Sequence, residues 1–142
     1  MSLEAVKQRL AGASSPATRL FGIRMLEAEE GTTLLEMECR EEFINYGGIV
    51  HGGVITALAD SAMGSSLATV TLDGTRQVSF DLKLTIISAA QAGDTLQARG
   101  HVIHSGRRTA VCEATVIGPA GRLVAKATGS FAIYPPKEES GA

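Results

Sequence analysis

Asp60 is the only formally charged residue between Val50 and Leu72, a stretch otherwise made of apolar and small polar side chains. It sits on a predicted helix whose neighbouring residues are apolar or small, where a carboxylate could serve as a base or nucleophile. By itself it reads equally well as a solvent-facing position that an amphipathic helix needs. The segment before it changes the balance. Asn45, Gly47-Gly48 and His51-Gly52-Gly53 precede the helical run Val54-Ile55-Thr56-Ala57-Leu58-Ala59-Asp60. They offer a side-chain amide donor and exposed backbone N–H groups at a helix start. Those groups and the helix dipole favour negative charge, so they could receive an oxyanion. A carboxylate two turns further along would project into the neighbourhood of that site. Acyl transfer requires such a pair: a base or nucleophile, and donors for the developing alkoxide. Glycine at 52 would let a substrate approach the backbone closely.

The elements that must position these groups follow from periodicity. Val54, Leu58, Ala62 and Ile55, Ala59, Met63 recur at helical spacing and predict one substantial helix, lined with small residues that suit close approach to a sheet. A short amphipathic helix is expected through Leu3, Val6 and Leu10, ending before Gly12, Ser14, Ser15 and Pro16. Residues 20–26 and 32–39 read as strands joined around Glu29-Glu30-Gly31. Val78, Phe80, Leu82, Leu84 and Ile86 alternate with Gln77, Ser79, Asp81, Lys83 and Thr85, predicting a strand with one buried and one polar face. Further strands are expected over residues 95–104, 109–117 and 123–134. Their short connections favour antiparallel pairing, and only the long helix can cover the resulting sheet of five to six strands. The class is α+β. The expected organisation is an N-terminal helix and linker over residues 1–17, one domain over 18–134, and a disordered tail over 135–142.

Composition narrows the function. A chain of 142 residues with 44% apolar content can build one core. The count of 13 Lys plus Arg against 15 Asp plus Glu gives a net charge of −2, with no basic stretch longer than Arg107-Arg108, so nucleic acid is not an expected partner. Cys39 and Cys112 show neither a CxxC spacing nor a paired framework, which suits two reduced thiols in the cytoplasm. No apolar leader core opens the chain. The weakly polar run over residues 51–72 is not expected to span a membrane, because its central Asp would cost about 2.5–3.5 kcal/mol there with few large side chains to offset it. His101 and His104 are three positions apart on a predicted strand, hence on opposite faces, and no metal site is expected.

The run Asn45-Tyr46-Gly47-Gly48-Ile49-Val50-His51-Gly52-Gly53-Val54-Ile55-Thr56-Ala57-Leu58-Ala59-Asp60-Ser61-Ala62 closely resembles the signature of hotdog-fold acyl-CoA thioesterases of the phenylacetate-degradation (PaaI-like) type. Val78-Ser79-Phe80-Asp81-Leu82-Lys83, Ala92-Gly93-Asp94, Gly106-Arg107-Arg108-Thr109 and Gly121-Arg122-Leu123-Val124-Ala125 extend the resemblance over residues 18–134. Its specific element is His-Gly-Gly with Asp nine positions after the His. The resemblance implies a hotdog fold, a long helix wrapped by an antiparallel sheet. It also implies edge-to-edge pairing of two chains along residues 77–88, with active sites at the interface. A homodimer is the minimum and a homotetramer, as a dimer of dimers, is common in the family. Asp60 would be general base or nucleophile, and the Gly52 N–H and Asn45 amide would hold the thioester oxygen. Ser79 from the partner chain would help to place water, and His51 would orient the loop. Gly53 and Ser61 would lie at the substrate, with Arg107 and Arg108 on the phosphates of coenzyme A.

Each assignment has a plainer rival: Ser79 as a polar-face residue, Arg107 and Arg108 as solvated charges. Met63, Leu67 and Phe80 could line an acyl pocket and read first as core. A thioester is electrophilic enough that no cofactor is expected beyond the coenzyme A of the substrate. A hotdog hydratase would need a proline-containing loop that the sequence lacks. An acyl-CoA-binding sensor would carry a DNA-binding domain, and fewer than 20 residues precede the first expected strand. A thioesterase acting on acyl carrier protein stays open. So do the acyl group, aromatic or medium to long aliphatic, and the choice between a mixed anhydride and general-base hydrolysis.

Overall fold

The computed structural model describes residues 4–5 and 15–137. Apart from Glu4 and Ala5, the helix expected over the first ten residues lies outside the described residues, as does the tail beyond Lys137. The first complete element corrects an expectation. Ser15 accepts a hydrogen bond from the Thr18 N–H, Pro16 takes an opening position, and Gly22 closes the turn at φ 70°, giving helix α1 (Pro16–Phe21). These end signals override the apolar spacing that suggested a strand from residue 20. Strand β1 (Arg24–Glu29) starts only after them. It turns at Glu30-Gly31, with Gly31 at φ 79°, into β2 (Thr32–Glu38).

After a loop comes the central helix α2 (Gly52–Ala68). Then follow β3 (Arg76–Ile86), β4 (Thr95–Ser105), β5 (Thr109–Ile117) and β6 (Leu123–Tyr134). The six strands form one sheet in the order β1-β2-β4-β5-β6-β3, with each neighbouring pair antiparallel. Strand β3 is an edge of that sheet. This is the α+β hotdog arrangement, a sheet curved around one helix.

The sheet wraps α2 closely enough that the helix touches β2, β3, β4, β5 and β6. Ile55, Leu58, Ala59, Ala62, Met63 and Leu67 are all buried against it. Small residues set the distance. A Cβ on Gly100 of β4 would lie 2.0 Å from the Ala62 carbonyl oxygen, so backbone meets backbone there. Thr33, fully buried on β2, donates from Oγ1 to the same carbonyl at 3.0 Å. Met63 and Leu67 belong to this core, as first read; Phe80 does not, being 62% exposed.

Strand β3 departs from the simple alternation in its sequence. Its register with β6 slips between Ser79↔Phe131 and Asp81↔Ser130, so Phe80 is an extra residue in a β-bulge. Before the bulge, Gln77 and Ser79 lie opposite Ile133 and Phe131, which are buried. After it, Leu82, Leu84 and Ile86 lie opposite Gly129, Ala127 and Ala125, again on the buried side. Odd and even positions thus share one face, which a strict two-residue period forbids. The expectation of one buried apolar face fails for a second reason. Val78, Phe80, Leu82 and Ile86 are all substantially exposed along this edge.

A second bulge corrects the reading of the histidines. The register of β4 with β5 slips between Val102↔Cys112 and His104↔Val111. His101 lies opposite Glu113 and His104 opposite the exposed Val111, which places both histidines on the outer face of the sheet. Even so, no cluster of three or more potential ligands able to hold a metal ion occurs among the described residues.

Candidate functional site

The loop before α2 is tied to itself. The Asn45 N–H donates to the Ile49 carbonyl (2.7 Å), the Gly48 N–H donates to the Asn45 carbonyl (3.0 Å), and Ile44 bridges Val50. Asn45 Oδ1 accepts from the N–H groups of Gly47 (2.9 Å) and Ile49 (3.2 Å). With the oxygen committed, the Nδ2 donor is turned away from the turn and has no partner among the described residues. His51 is the N-cap of α2: its Nδ1 accepts from the Gly53 N–H at 2.9 Å. That bond makes Nδ1 an acceptor and leaves the proton of a neutral ring on Nε2. Gly53 gives the cap room, since a Cβ there would stand 3.0 Å from the same nitrogen and the ring would have to shift. The Gly52 N–H, at the first helical position, has no partner among the described residues.

Eight residues on, Asp60 projects from α2 toward the edge strand. The Ser79 hydroxyl of the same chain lies close enough to its carboxyl to favour the ionised form. Burial pushes the Asp60 carboxyl above its ordinary range, and the Ser79 hydroxyl works against that shift. Ser61, half-buried, is its helix neighbour. The sequence reading missed Gln77, whose Nε2 donates to the Gly64 carbonyl one turn beyond Asp60. The only signal available was its place two positions before Ser79.

The spacing along the helix limits what one chain can bring together. Gly52 and Asp60 are separated by eight helical residues, about 12 Å along the axis. One chain therefore cannot offer both to a single carbonyl. Ser79 lies beside Asp60 within the same chain.

Arg107 and Arg108 are exposed at the β4–β5 turn, where the Arg108 carbonyl accepts from the Ile133 N–H (2.8 Å). They line a surface groove of about 440 Å³ with Ile133, Tyr134 and Pro135. Arg76 adds a third guanidinium nearby, 5.6 Å above the Tyr134 ring. In the sheet, Ala110, Phe131 and Ser79 form one row across β5, β6 and β3. Ala110, at the start of β5 just after the hairpin, is thus two strand spacings, roughly 10 Å, from Ser79. A second groove, of about 480 Å³, lies on the outer face around Leu34, Arg99 and His101, away from Asp60. Cys39 and Cys112 are free thiols whose pKa burial pushes up to about 11, which removes them as nucleophiles.

A half-buried carboxyl midway along a central helix, and a donor loop at the start of that helix, are the features to set beside known proteins. The family model described as the thioesterase superfamily matches residues 47–125, from the donor loop through β3 and β4 into β6. The chain belongs to the thioesterase superfamily. Within that superfamily it is PaaI-like and hotdog-folded. Its sequence is 31% identical over 110 residues to human acyl-coenzyme A thioesterase 13, covering 76% of this chain and 78% of that one. The fold superimposes on the Escherichia coli PaaI protein of the phenylacetic acid degradation operon with a TM-score of 0.86 at 24% identity, over 96% and 99% of the two chains. A Streptococcus mutans protein solved bound to acetyl CoA matches at 29% identity and a TM-score of 0.74, over 82% of this chain and 91% of that one. No helix among the described residues of this superfamily member is long and apolar enough to cross a membrane.

Proposed function

We propose that this chain hydrolyses acyl-CoA thioesters to the free acid and coenzyme A, with Asp60 as general base or nucleophile. The observation that carries the reading is the Asp60 carboxyl, half-buried on Ser79 beneath an unpaired sheet edge. In the general-base route, water attacks the thioester carbon while Asp60 takes its proton. The oxygen that becomes negative is held by a Gly52 N–H and an Asn45 amide. Collapse of the adduct breaks the C–S bond, and the proton leaves Asp60 for the departing thiolate. In the nucleophilic route a carboxylate oxygen attacks the thioester carbon, and the C–S bond breaks to release the thiolate as a mixed anhydride forms. Water then cleaves the anhydride to the free acid and the Asp60 carboxylate, a proton from that water going to the thiolate. Oxygen-18 from water in the Asp60 carboxyl after one turnover selects the second route. Neither route calls for a cofactor.

The 12 Å gap within one helix is closed by a second copy. Ser79 meets Asp60, and a Cβ on Gly52 would lie 3.1 Å from Ile86 Cδ1, so β3 marks both halves of the site along its length. Antiparallel pairing of two β3 edges about an axis near Leu82 and Lys83 would set the partner's Ile86 beside Ser79. The partner's helix start would then face Asp60. The exposed Val78, Phe80 and Ile86 would be covered by the same contact. The functional unit is thus a homodimer at minimum, with the homotetramer as its doubled form. Coenzyme A is the proposed carrier, Arg107 and Arg108 meeting its phosphates and an aromatic or medium to long aliphatic acyl chain entering between the subunits. Gly53 keeps the helix start bare, and Ser61 lines the path to Asp60. The two buried thiols fit the cytoplasm.

A thiol-release assay over aliphatic and aromatic acyl-CoA esters, with an acylated carrier protein alongside, tests the activity. Cleavage abolished by Asp60→Asn supports it; binding without cleavage would leave a sensor. Mixing Asp60→Asn with Asn45→Asp subunits tests the shared site. Random hybrids would restore about a quarter of native activity, since each hybrid rebuilds one whole site of two. No recovery on subunit exchange would place both halves in one chain.

A further inference from the structure

We infer that Gln77 is a positioning residue: its amide, bonded to the Gly64 carbonyl, holds the edge strand in register on α2 and so keeps the Ser79 hydroxyl on Asp60. The inference rests on the proposed role of Asp60, and its geometry comes from β3. Sheet pairing with β6 fixes where this strand lies along the sheet but not how near it comes to the helix. Beyond the bulge that distance is set by apolar packing: Leu84 packs against the core, and Leu82 Cδ2 would be 3.0 Å from a Cβ on Gly129. Before the bulge the two inward positions are Gln77 and Ser79, both polar, and neither supplies such packing.

Two polar contacts take its place. Asp60 and Gly64 are one turn apart on the helix, about 6 Å. Gln77 and Ser79 are two positions apart on the same strand face, about 6.8 Å. The spacings match, so the bonds Gln77 to Gly64 and Ser79 to Asp60 stand side by side. Position 64 faces this contact: a Cβ there would make ordinary contacts, 3.5 Å to Gln77 Nε2 and 3.7 Å to Phe131 Cε1. Burial and the Ser79 hydroxyl are the two influences on the Asp60 carboxyl, with no charged neighbour from α2, β3 or β6 contributing. Loosening Ser79 therefore moves Asp60 in one direction, upward.

The test follows the Asp60 carboxyl by ¹³C NMR pH titration of the full chain labelled at aspartate, in the native protein, Ser79→Ala, Gln77→Met and the double variant. Met keeps the length of Gln and removes its donors. Gln77→Met is expected to raise the Asp60 midpoint in the same sense as Ser79→Ala, and the double variant to add nothing further. Turnover of Gln77→Met should fall about tenfold with KM changed less than about twofold, its acid limb moving up with the midpoint. Gln77→Asn, polar but too short to reach Gly64, gives the same shift and serves if Met perturbs folding. An Asp60 midpoint unmoved by the Gln77 variants while Ser79→Ala moves it would overturn the inference. If the native protein cleaves no thioester, the proposed function fails, and the titration still decides whether Gln77 positions Ser79.

Discussion

At the start of α2 the polar groups are held by backbone. Asn45 Oδ1 takes two N–H groups, His51 Nδ1 takes a third, and Gly52 contributes nothing but its own amide. Halfway along the same helix, Asp60 is held by a side chain from a strand at the edge of the sheet. The donor half is a closed loop that one chain completes by itself. The carboxylate half lies under an exposed rim whose apolar residues await cover. Donors that must be present before charge develops gain from rigid attachment, because they then need no reorganisation in the transition state. A proton acceptor gains instead from an environment that sets its affinity, which side chains and burial control.

Breaking the carboxylate half has the largest expected effect. Asp60→Asn keeps the shape and the reach to Ser79 but removes the base, and turnover should fall by about 10²–10⁴. The native protein should show an acid limb above the ordinary carboxylate range, because only ionised Asp60 accepts a proton and burial raises the pH at which it ionises. A pH–rate profile with its acid limb near the ordinary aspartate value of 3.8 would contradict the buried environment.

The donor half is tested by separating its two jobs in Asn45. Asn45→Asp retains an oxygen for the Gly47 and Ile49 N–H groups and loses the Nδ2 donor. Loss of one such donor should lower turnover on the order of 10²-fold with an unchanged melting temperature. Asn45→Ala loses both jobs, so it should also loosen the loop and lower the melting point. Equal melting losses in the two variants would mean that the Asp does not keep the turn.

The two halves were not equally legible in the sequence. The donor loop could be read because its parts are contiguous and carry types with local meaning: an Asn that caps a turn, glycines, and a His before a helix. Long elements were likewise readable where the period was uninterrupted, as in β5, whose bounds match the expected 109–117. What could not be read is whatever crosses between elements. The Phe80 bulge has no composition of its own, yet it alone puts Ser79 and Leu82 on one face. The bulge at Ile103 reverses the histidine argument in the same way. Residues 20 and 21 joined a helix because Ser15, Pro16 and Gly22 act over single hydrogen bonds that an apolar period does not register. Gly100, isolated in a strand pattern, was an available sign of close backbone approach.

A smaller effect isolates the His51 cap. In His51→Ala the Gly53 N–H loses its acceptor, and stability should fall by about 1 kcal/mol, as for loss of an N-cap, measured by urea unfolding. His51→Asn restores a capping oxygen and should recover most of that loss. If turnover recovers with stability, the ring transfers no proton. Recovery of stability without turnover would give His51 a part in the chemistry.

The smallest effect has the opposite sign to the largest. The Asp60 carboxyl is raised in the folded chain relative to the unfolded one, so the native state binds its proton more tightly. Native stability from this group is greatest below the unfolded value and is lost as pH rises through the folded one. At neutral pH the ionised carboxylate is therefore a burden that Asp60→Asn lifts. The variant that cuts turnover most should unfold at a slightly higher temperature than the native protein at pH 7, with the difference shrinking or reversing on acidification toward pH 4. Melting curves across that range check it. Equal melting points of the native protein and the variant at both pH 7 and pH 4 would mean that folding leaves the Asp60 carboxyl at its ordinary proton affinity.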